Sequence, residues 1–264
     1  DCREEKAFLT RAGVPVAPNL TLLPGEPLPA LPSDLFPAIL KTAREGYDGK
    51  GQWTIHNAGE LPAALAASGV PCVLEKRLPL EGEFALTLAR SPSGAISALP
   101  LVQNWHSGGI LDQTRSPAKV PALEAEAQRI AEHIIAALDY VGVLTVEFFL
   151  VGGALLVNEM APRPHNSGHP SIDNAGCSQF ELQVRALCDL PLPAQAEVQP
   201  AILLNLLGDL WQDGTPDWAG ALALPGVHLH LYGKGDARPG RKMGHVTVTG
   251  RNWPTVEATA SQLR

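Results

Sequence analysis

The sequence predicts an α+β protein that ends in a smaller, mostly β unit. Three observations support this prediction. Residues 121–138 carry a strong amphipathic helix pattern, with isoleucines and leucines at helical spacing. Strand-like runs with β-branched and alternating apolar residues lie on both sides of this helix. A proline-rich stretch at residues 191–200 then separates the main body from three more strand-like runs.

The composition is that of an ordinary globular protein. Of 264 residues, 45% are hydrophobic and 18% are charged, which suffices to fill a core. The net charge of -7 argues against nucleic acid as the main partner, because no basic field exists to hold a phosphate backbone. No apolar run is long enough to cross a membrane. Four widely spaced cysteines without a C-x-x-C pair indicate reduced thiols, so we expect a cytoplasmic protein.

The predicted elements of the first half begin with a helix at residues 3–12, which Gly13 ends. A short apolar strand at 36–41 runs into a loop with three glycines at 42–53, and a helix follows at 58–68. The β-branched and alternating content then predicts three strands: residues 71–78, 82–90 and 96–105.

The second half continues with the helix at 121–138 and two strand-like runs at 141–150 and 154–160. A polar segment, residues 158–173, overlaps the end of the second run, and a helix follows at 178–190. One face of that helix is apolar: Phe180, Val184, Leu187 and Cys188. Three strands are expected beyond the proline-rich stretch: residues 201–207, 227–233 and 244–250.

Two acidic side chains are predicted to meet across a hairpin. If Gly152, Gly153 and Ala154 form a three-residue turn, Glu147 faces Glu159. Directly opposed residues on antiparallel strands have Cβ atoms roughly 5 Å apart, and two carboxylates held so close either share a proton or bind a cation. Oxygen-only ligands favour Mg²⁺ or Mn²⁺. The alternative is a slipped register in which one glutamate only faces solvent.

The glycine-containing loop suggests a phosphate-binding site. Glycines let backbone N–H groups approach phosphate oxygens, and Lys41 at the end of the preceding strand adds a positive charge. The loop matches neither G-x-x-x-x-G-K-[ST] nor a G-x-G-x-x-G that opens a helix. A glycine-rich turn without a ligand is an equally good interpretation of this stretch alone.

Together these stretches resemble the ATP-grasp superfamily and, within it, the family of 5-(carboxyamino)imidazole ribonucleotide synthetases. The resemblance lies in four motifs: "GYDGKGQ" at 46–52, "EKRLPLEGEF" at 75–84, "NEMAPRPHNSGH" at 158–169 and "RPGRKMGHVTV" at 238–248. It implies an ATP-grasp fold over residues 1–190, in which two α+β subdomains clasp ATP, with a flexible lid at about 38–85. A small, mostly β domain at 191–264 follows. The family pattern begins with a further, dinucleotide-fold-like domain that is absent from this sequence.

The resemblance implies ATP and Mg²⁺ (or Mn²⁺) as cofactors. The residues that would cover the ATP phosphates are Lys41, Gly46, Tyr47, Asp48, Gly49, Lys50, Gly51 and Gln52. The hinge that would read adenine, largely through backbone groups, is Glu75, Lys76, Arg77 and Leu78. Glu83 would hold the ribose hydroxyls, and His106 matches a further nucleotide contact. Glu147 and Glu159 match the metal ligands, with Asn158 beside them.

The implied reaction is the ATP- and bicarbonate-dependent carboxylation of 5-aminoimidazole ribonucleotide, through carboxyphosphate, in purine biosynthesis. Arg163, His165 and Asn166 are the implied catalytic residues, because phosphorylation of bicarbonate builds up negative charge. The basic residues expected at the phosphate of the ribonucleotide are Lys234, Arg238, Arg241 and Lys242. His169 is expected to be structural. The implied partners are these substrates and a second copy in a homodimer, with no nucleic acid and no membrane.

Two alternatives stay open at this point. The first is another purine-pathway ATP-grasp enzyme, of the formate-dependent glycinamide ribonucleotide transformylase type. The second is a non-catalytic nucleotide-binding fragment, since the family's first domain is absent. The sequence also departs from the family at its start, where a basic residue is expected directly after Asp1 and this chain has Cys2 and then Arg3.

Overall fold

A computed structural model describes residues 1–44, 46, 51–194 and 198–264 of the chain. The described residues form two compact units. The first unit comprises Asp1–Glu81 and Phe148–Met160, and the second comprises Gly82–Glu147 and Ala161–Arg264. None of the helices in this described part is long and apolar enough to span a membrane.

The first unit is built on an antiparallel four-stranded sheet. Its strands are β1 (Asn19–Leu22), β2 (Ala38–Thr42), β3 (Gln52–Ile55) and β4 (Cys72–Lys76). They lie in the order β1-β4-β2-β3, so β4 and β2 are central. Its helices are α1 (Cys2–Arg11) and α2 (Leu61–Ser68). The core contains Leu40 and Leu74 from the central strands and Leu61 and Leu65 from α2. The Asp1 carboxylate caps α1.

The other strands follow in chain order: β5 (Gly82–Arg90), β6 (Ile96–Ala98), β7 (Val102–Ser107), β8 (Ile110–Ser116), β9 (Gly142–Val151), β10 (Ala154–Ala161), β11 (Ala201–Leu207), β12 (Val227–Leu231) and β13 (Lys242–Thr249). The other helices are α3 (Pro121–Ala137), α4 (Ser171–Asn174), α5 (Gln179–Leu187), α6 (Trp218–Leu222) and α7 (Trp253–Gln262). Short 3-10 turns lie at Ser33–Leu35, Asn166–Gly168 and Gly208–Trp211.

The second unit contains one large antiparallel sheet. Strands β5, β7, β8, β11, β13 and β12 are neighbours in that order, and β6 pairs with β5. The pairing of β11 with β8 runs from Ala201 opposite Ser116 to Leu204 opposite Gln113. Strands from both sides of the proline-rich stretch therefore share this sheet. The predicted domain boundary near residue 190 stays a prediction.

Most predicted elements are confirmed, and three strands went unpredicted. The missed strands are β1 and β3, of four residues each, and β8, of seven. The single strand predicted at 96–105 is two strands, β6 and β7, with Pro100 in the break between them. Proline has no N–H to donate to a sheet ladder, which explains the interruption.

The apolar face predicted for α5 faces solvent. Phe180 is 44% exposed, and Val184 and Leu187 are each 57% exposed. The residues that α5 buries are Gln179, Leu182 and Ala186. The helix packs through the opposite side, where Leu182 and Ala186 join an apolar cluster with Val143. The buried Gln179 lies at the start of the same side and has polar partners, as described below.

The three-residue turn predicted between β9 and β10 is wrong. Gly152 and Gly153 alone join the strands, with φ angles of 58° and 76°, and Ala154 already belongs to β10. Two positive φ angles in succession give the tight two-residue turn that matches the twist of a hairpin. Both glycine N–H groups donate to the Glu81 carboxylate, at 2.7 and 3.3 Å. The two-residue turn does not give the register that was predicted to place Glu147 opposite Glu159. The pairing of these two glutamates remains a prediction.

Candidate functional site

A buried carboxylate joins two lysines in the first unit. Glu75 lies on the central strand β4 and is 3% exposed. Its Oε1 lies 2.6 Å from Lys6 Nζ on α1, and its Oε2 is ion-paired with Lys41 Nζ on β2. Burial alone would raise the pKa of Glu75, but the two ammonium groups outweigh it and lower this pKa. Lys41 is thus held at the end of β2, next to the predicted phosphate-binding loop.

Helix α1 also holds the backbone of β10 on both sides of Glu159. Lys6 Nζ donates to the Asn158 carbonyl oxygen at 2.6 Å, and Glu5 Oε1 accepts from the Met160 N–H at 2.5 Å. Burial is the main cause that raises the pKa of Glu5 to about 7, and the nearby Glu159 charge adds to it. Two consecutive residues of one helix therefore fix the strand segment that carries an exposed candidate metal ligand.

Several predicted nucleotide residues have defined places in the first unit. Gln52 opens β3 opposite Lys41, and the Gly51 carbonyl accepts from the Thr42 N–H at 2.9 Å. Gly46 is among the described residues and is exposed. The other predicted loop residues lie outside the described residues: Tyr47, Asp48, Gly49 and Lys50.

The predicted adenine hinge follows directly on β4. The Lys76 and Arg77 N–H groups donate to the carbonyls of Pro18 and Pro37, at 2.9 and 2.8 Å. These two donors are therefore occupied by the protein itself. A backbone contact to a base would therefore use other groups of this segment.

In the second unit, Glu83 and His106 form a pair on neighbouring strands β5 and β7. His106 Nδ1 lies 3.0 Å from Glu83 Oε2. Burial lowers the pKa of His106, but the Glu83 contact and the more distant Glu147 charge outweigh this effect, so the pKa is raised. This pair offers a carboxylate with one oxygen engaged and a ring that carries charge more readily than an ordinary histidine.

Glu147 on β9 lies beside the ring of His165. The distance from His165 Nε2 to Glu147 Oε1 is 3.6 Å, and both side chains are largely buried, at 15% and 13% exposure. Burial, followed by the charges of Arg163 and Lys242, lowers the pKa of His165 to about 3. His165 Nδ1 faces the Ser167 N–H at 3.4 Å, so its proton belongs on Nε2. His165 is therefore a neutral donor aimed toward Glu147.

The residues on either side of His165 offer further donors. Arg163 Nη1 donates to the Pro164 carbonyl at 3.0 Å, which leaves most of its guanidinium donors for other partners. Among the described residues, Asn166 Nδ2 is buried and has no hydrogen-bond partner. A buried amide without a partner is costly, and a polar ligand beside it would remove that cost.

The four predicted phosphate-binding residues lie on one turn and on the strand that follows it. Lys234 Nζ donates to the Lys242 carbonyl at 2.6 Å, and Arg238 and Arg241 both contact Asp236. Lys242 begins β13, and its charge acts on His106, His165 and His169. Lys242 therefore lies near the polar segment that contains His165.

A cluster of possible metal ligands lies in the second unit: Asp173, His230 and His245. His230 Nε2 is 2.9 Å from Asp173 Oδ2, and the rings of His230 and His245 stack at 4.4 Å with planes 17° apart. Imidazole lone pairs lie in the ring plane, so two stacked rings cannot both point at one ion. We interpret this cluster as structural. His169 stacks on His245 at 5.2 Å, in accord with the structural role expected for it.

Three of the residues in these networks were not found from the sequence: Glu5, Lys6 and Gln179. Only Lys6 carried a signal, because it lies three residues before the buried Leu9 and thus on the buried face of α1. Glu5 and Gln179 look like ordinary surface residues of helices, and their partners are distant in sequence.

Comparison with known proteins identifies related chains. The family model described as ATP-grasp domain matches residues 7–180. The model described as phosphoribosylaminoimidazole carboxylase C-terminal domain matches residues 201–259. Among curated relatives, the N5-carboxyaminoimidazole ribonucleotide synthase of Synechococcus elongatus is 42% identical over 257 residues, which cover 94% of this chain and 64% of the relative. The Escherichia coli synthase of the same name is 38% identical and is matched over 71% of its length. The chain thus spans less than two thirds of the first of these relatives.

Solved structures show the same fold. N5-carboxyaminoimidazole synthetase from Staphylococcus aureus, complexed with ADP, has a TM-score of 0.85 at 35% identity and matches 100% of this chain and 70% of its own. N5-carboxyaminoimidazole synthase from Aspergillus clavatus, in complex with ADP and 5-aminoimidazole ribonucleotide, has a TM-score of 0.85 at 31% identity. That match covers 98% of this chain and 70% of the fungal one. The predicted α+β, ATP-grasp fold with a C-terminal domain is confirmed.

Proposed function

The chain belongs to the ATP-grasp family of N5-carboxyaminoimidazole ribonucleotide synthases, and from this premise we propose that it carboxylates the amine of 5-aminoimidazole ribonucleotide. The co-substrates would be ATP and bicarbonate, and the products N5-carboxyaminoimidazole ribonucleotide, ADP and phosphate. The solved relative with ADP and 5-aminoimidazole ribonucleotide supports this choice of nucleotide and acceptor. A cytoplasmic location and a homodimer belong to the same proposal.

The observation that carries the proposal is the polar segment that follows β10. It combines the unpartnered amide of Asn166 with a neutral, Nε2-protonated His165 and the Arg163 guanidinium. Among the described residues, Asn166 Nδ2 has no partner, and Arg163 uses one guanidinium donor on the Pro164 carbonyl and keeps the others. His165 Nε2 lies 3.6 Å from Glu147 Oε1, which is longer than a hydrogen bond. Such a set suits a small anion that gains charge during the reaction.

In the proposed first step, a bicarbonate oxygen attacks the γ-phosphorus of ATP. The bond from that phosphorus to the ADP oxygen breaks, and carboxyphosphate forms. Arg163, His165 and Asn166 would donate to the oxygens on which negative charge increases. Because His165 stays neutral at physiological pH, it acts here as a hydrogen-bond donor and not as an acid.

In the proposed second step, carboxyphosphate breaks down to CO₂ and phosphate. The exocyclic amine of the ribonucleotide then attacks the carbon of CO₂, forms the new C–N bond and loses a proton, which gives the carbamate. The four basic residues of the 234–242 turn would bind the phosphate of the ribonucleotide, because arginine forks match phosphate oxygens. The charge of one of them, Lys242, acts on His165, which supports this assignment.

For the nucleotide, we propose Lys41 at the phosphates, the segment around Leu78 at adenine, and Glu83 with His106 at the ribose. Lys41 is oriented for this role by its ion pair with Glu75. Glu83 keeps one carboxylate oxygen available for a ribose hydroxyl while the other meets His106.

Glu147 and Glu159 are proposed as the protein ligands of Mg²⁺ or Mn²⁺. Oxygen-only donors suit such hard ions, and the largely buried Glu147 with the exposed Glu159 fits an ion that also meets solvent or phosphate oxygens. When bound, the ion would neutralise charge on the β- and γ-phosphates.

The test is the release of phosphate by the chain with ATP, Mg²⁺ and bicarbonate. We expect 5-aminoimidazole ribonucleotide to stimulate it, and glycinamide ribonucleotide with formate to leave it unchanged. Stimulation by glycinamide ribonucleotide would instead identify the transformylase reaction. Binding of ATP without turnover under any of these conditions would identify a nucleotide-binding module and overturn the proposal.

A further inference from the structure

The side chain of Gln179, the first residue of α5, is wholly buried, at 0% exposure, and fully hydrogen-bonded. Its Oε1 accepts from the His165 N–H at 2.8 Å, and its Nε2 donates to the His165 carbonyl at 2.8 Å. One amide thus occupies both backbone groups of a single residue, as a neighbouring strand would. The second Nε2 hydrogen is directed to His169 Nδ1 at 2.7 Å.

The surrounding chain is shaped to accept this amide. A Cβ on Gly168 would lie 2.4 Å from Gln179 Oε1, so only glycine fits against it. Ser171 Oγ accepts from the Gln179 N–H at 3.0 Å and donates to the Gly168 carbonyl at 2.5 Å. The segment 165–171 therefore wraps around one buried glutamine.

These bonds also define the tautomer of His169 and the position of the His165 ring. An amide Nε2 only donates, so His169 Nδ1 accepts and the ring proton is on Nε2. Burial, with the charges of His230 and Lys242, lowers the pKa of His169 to about 4, so this neutral tautomer persists at neutral pH. The backbone of His165, held on both sides, places its ring where Nε2 faces Glu147 at 3.6 Å.

We propose that Gln179 is a positioning residue, which fixes the backbone of His165 so that the donors of Arg163, His165 and Asn166 converge on the bicarbonate-derived oxygens. This inference rests on the proposed function for the identity of the anion. Gln179 itself touches no reacting atom; it acts through the 165–169 backbone. A displacement of about 1 Å in such a group costs on the order of 100-fold in rate.

The chain supplies a matched control on the same helix. Gln183 Oε1 accepts from the Val143 N–H at 2.6 Å, so Gln183 is used there as an acceptor. Gln183→Glu keeps that acceptor. Gln179→Glu keeps the acceptor toward the His165 N–H but loses both donors and places a carboxylate against the His165 carbonyl. The turn at 166–168 keeps a second support in both variants, because Asn104 Nδ2 donates to Ser167 Oγ at 2.8 Å.

The experiment measures ADP formation against bicarbonate concentration at saturating ATP, for the unchanged chain, Gln179→Glu, Gln179→Met and Gln183→Glu. We expect both Gln179 variants to lose roughly 10- to 100-fold in kcat/KM for bicarbonate, with the KM for ATP within about twofold of the unchanged chain. Gln183→Glu should keep both constants. Equal loss in all variants, or losses that follow the folded fraction measured by circular dichroism, would show a merely structural role and overturn the proposal.

A second measurement separates this inference from the proposed function. Histidine ring nitrogen shifts by ¹⁵N NMR should report the Nε2–H tautomer of His169 in the unchanged chain and its loss in Gln179→Glu. If the unchanged chain forms no ADP in response to bicarbonate, the proposed function fails. The tautomer measurement still decides the role of Gln179: an unchanged His169 spectrum in Gln179→Glu rejects it.

Discussion

At the residue scale, the candidate site depends on charges that the fold pairs or neutralises. Glu75 is ionised although buried, because two lysines meet its two oxygens. His165 is neutral although two cations lie near it, because burial and those cations all disfavour its protonated form. Each group thus has the protonation state that its proposed role requires before any ligand binds.

The first prediction concerns the ion pair of Glu75. Glu75→Gln leaves the ammonium groups of Lys6 and Lys41 without their counter-charge, and Lys6 is only 6% exposed. We expect the free energy of unfolding in urea to fall by about 3–5 kcal/mol, as when one partner of a buried pair is removed.

The double variant Glu75→Gln with Lys6→Met also removes the ammonium group of Lys6, which the single variant leaves buried and unpaired. It should recover part of the lost free energy of unfolding. A single variant within about 1 kcal/mol of the unchanged chain would contradict the pairing.

The second prediction concerns Glu159. Glu159→Gln keeps the size of the side chain but removes a charged ligand from the proposed metal site. We expect turnover to be abolished at physiological Mg²⁺ while the unfolding transition stays in place, because Glu159 is exposed and buries no charge. The measurement is ADP formation over a Mg²⁺ titration beside a thermal melt. Near-normal rates would reject the metal role.

At the scale of elements, helix α1 does more than cover the sheet of the first unit. Its consecutive residues Glu5 and Lys6 bind the backbone at Met160 and Asn158, so the helix fixes the part of β10 between them. Helix α1 thereby fixes the backbone position of Glu159.

The third prediction follows from this contact. Glu5→Ala removes the acceptor of the Met160 N–H, and we expect the KM for Mg²⁺ to rise about tenfold, as for other partners that orient metal ligands. Glu5→Gln keeps an oxygen acceptor for the Met160 N–H and should raise the KM for Mg²⁺ less. Glu4→Ala, an exposed neighbour on the same helix, is the control. If Glu5→Ala and Glu4→Ala have the same Mg²⁺ dependence, α1 does not position Glu159.

At the scale of the whole molecule, buried neutral histidines make stability depend on pH. Burial is the main cause that lowers the pKa of His169 to about 4 and that of His245 to about 3. In the unfolded chain both histidines titrate near their ordinary pKa of about 6.5. The unfolded state therefore binds more protons between these values, and acid favours it.

The fourth prediction is a loss of stability in acid. The free energy of unfolding should be nearly constant above about pH 6.5 and fall as the pH drops toward 4, by about 1.4 kcal/mol per pH unit for each proton taken up. Glu5, with its pKa raised to about 7, and His106, whose pKa is also raised, oppose this trend. The pKa of His165, lowered to about 3, adds a third histidine to it.

Urea titrations at pH 7.5, 6 and 5 measure the slope of the free energy of unfolding against pH. A variant His169→Asn should show a smaller slope than the unchanged chain. A stability that rises on acidification over this interval would show that these histidines are not buried as neutral rings.

The fold class and most elements could be predicted from the sequence, because they depend on local pattern and on motifs. The amphipathic pattern of α3 and the alternation in β5 are local, so they were predictable. The residues at the nucleotide, metal and bicarbonate positions came from family motifs, and their roles remain proposals.

The contacts that support those residues could not be predicted from the sequence. The partners of Gln179 lie up to 14 positions away, those of Lys6 as far as 152, and no periodicity links such pairs. The burial of Gln179, the exposure of Phe180 and the place of β11 beside β8 all depend on which distant surfaces meet. Hydrogen bonding and packing across the chain set these features, because the energy of a buried polar group depends on its partner in space and not on its neighbours in sequence.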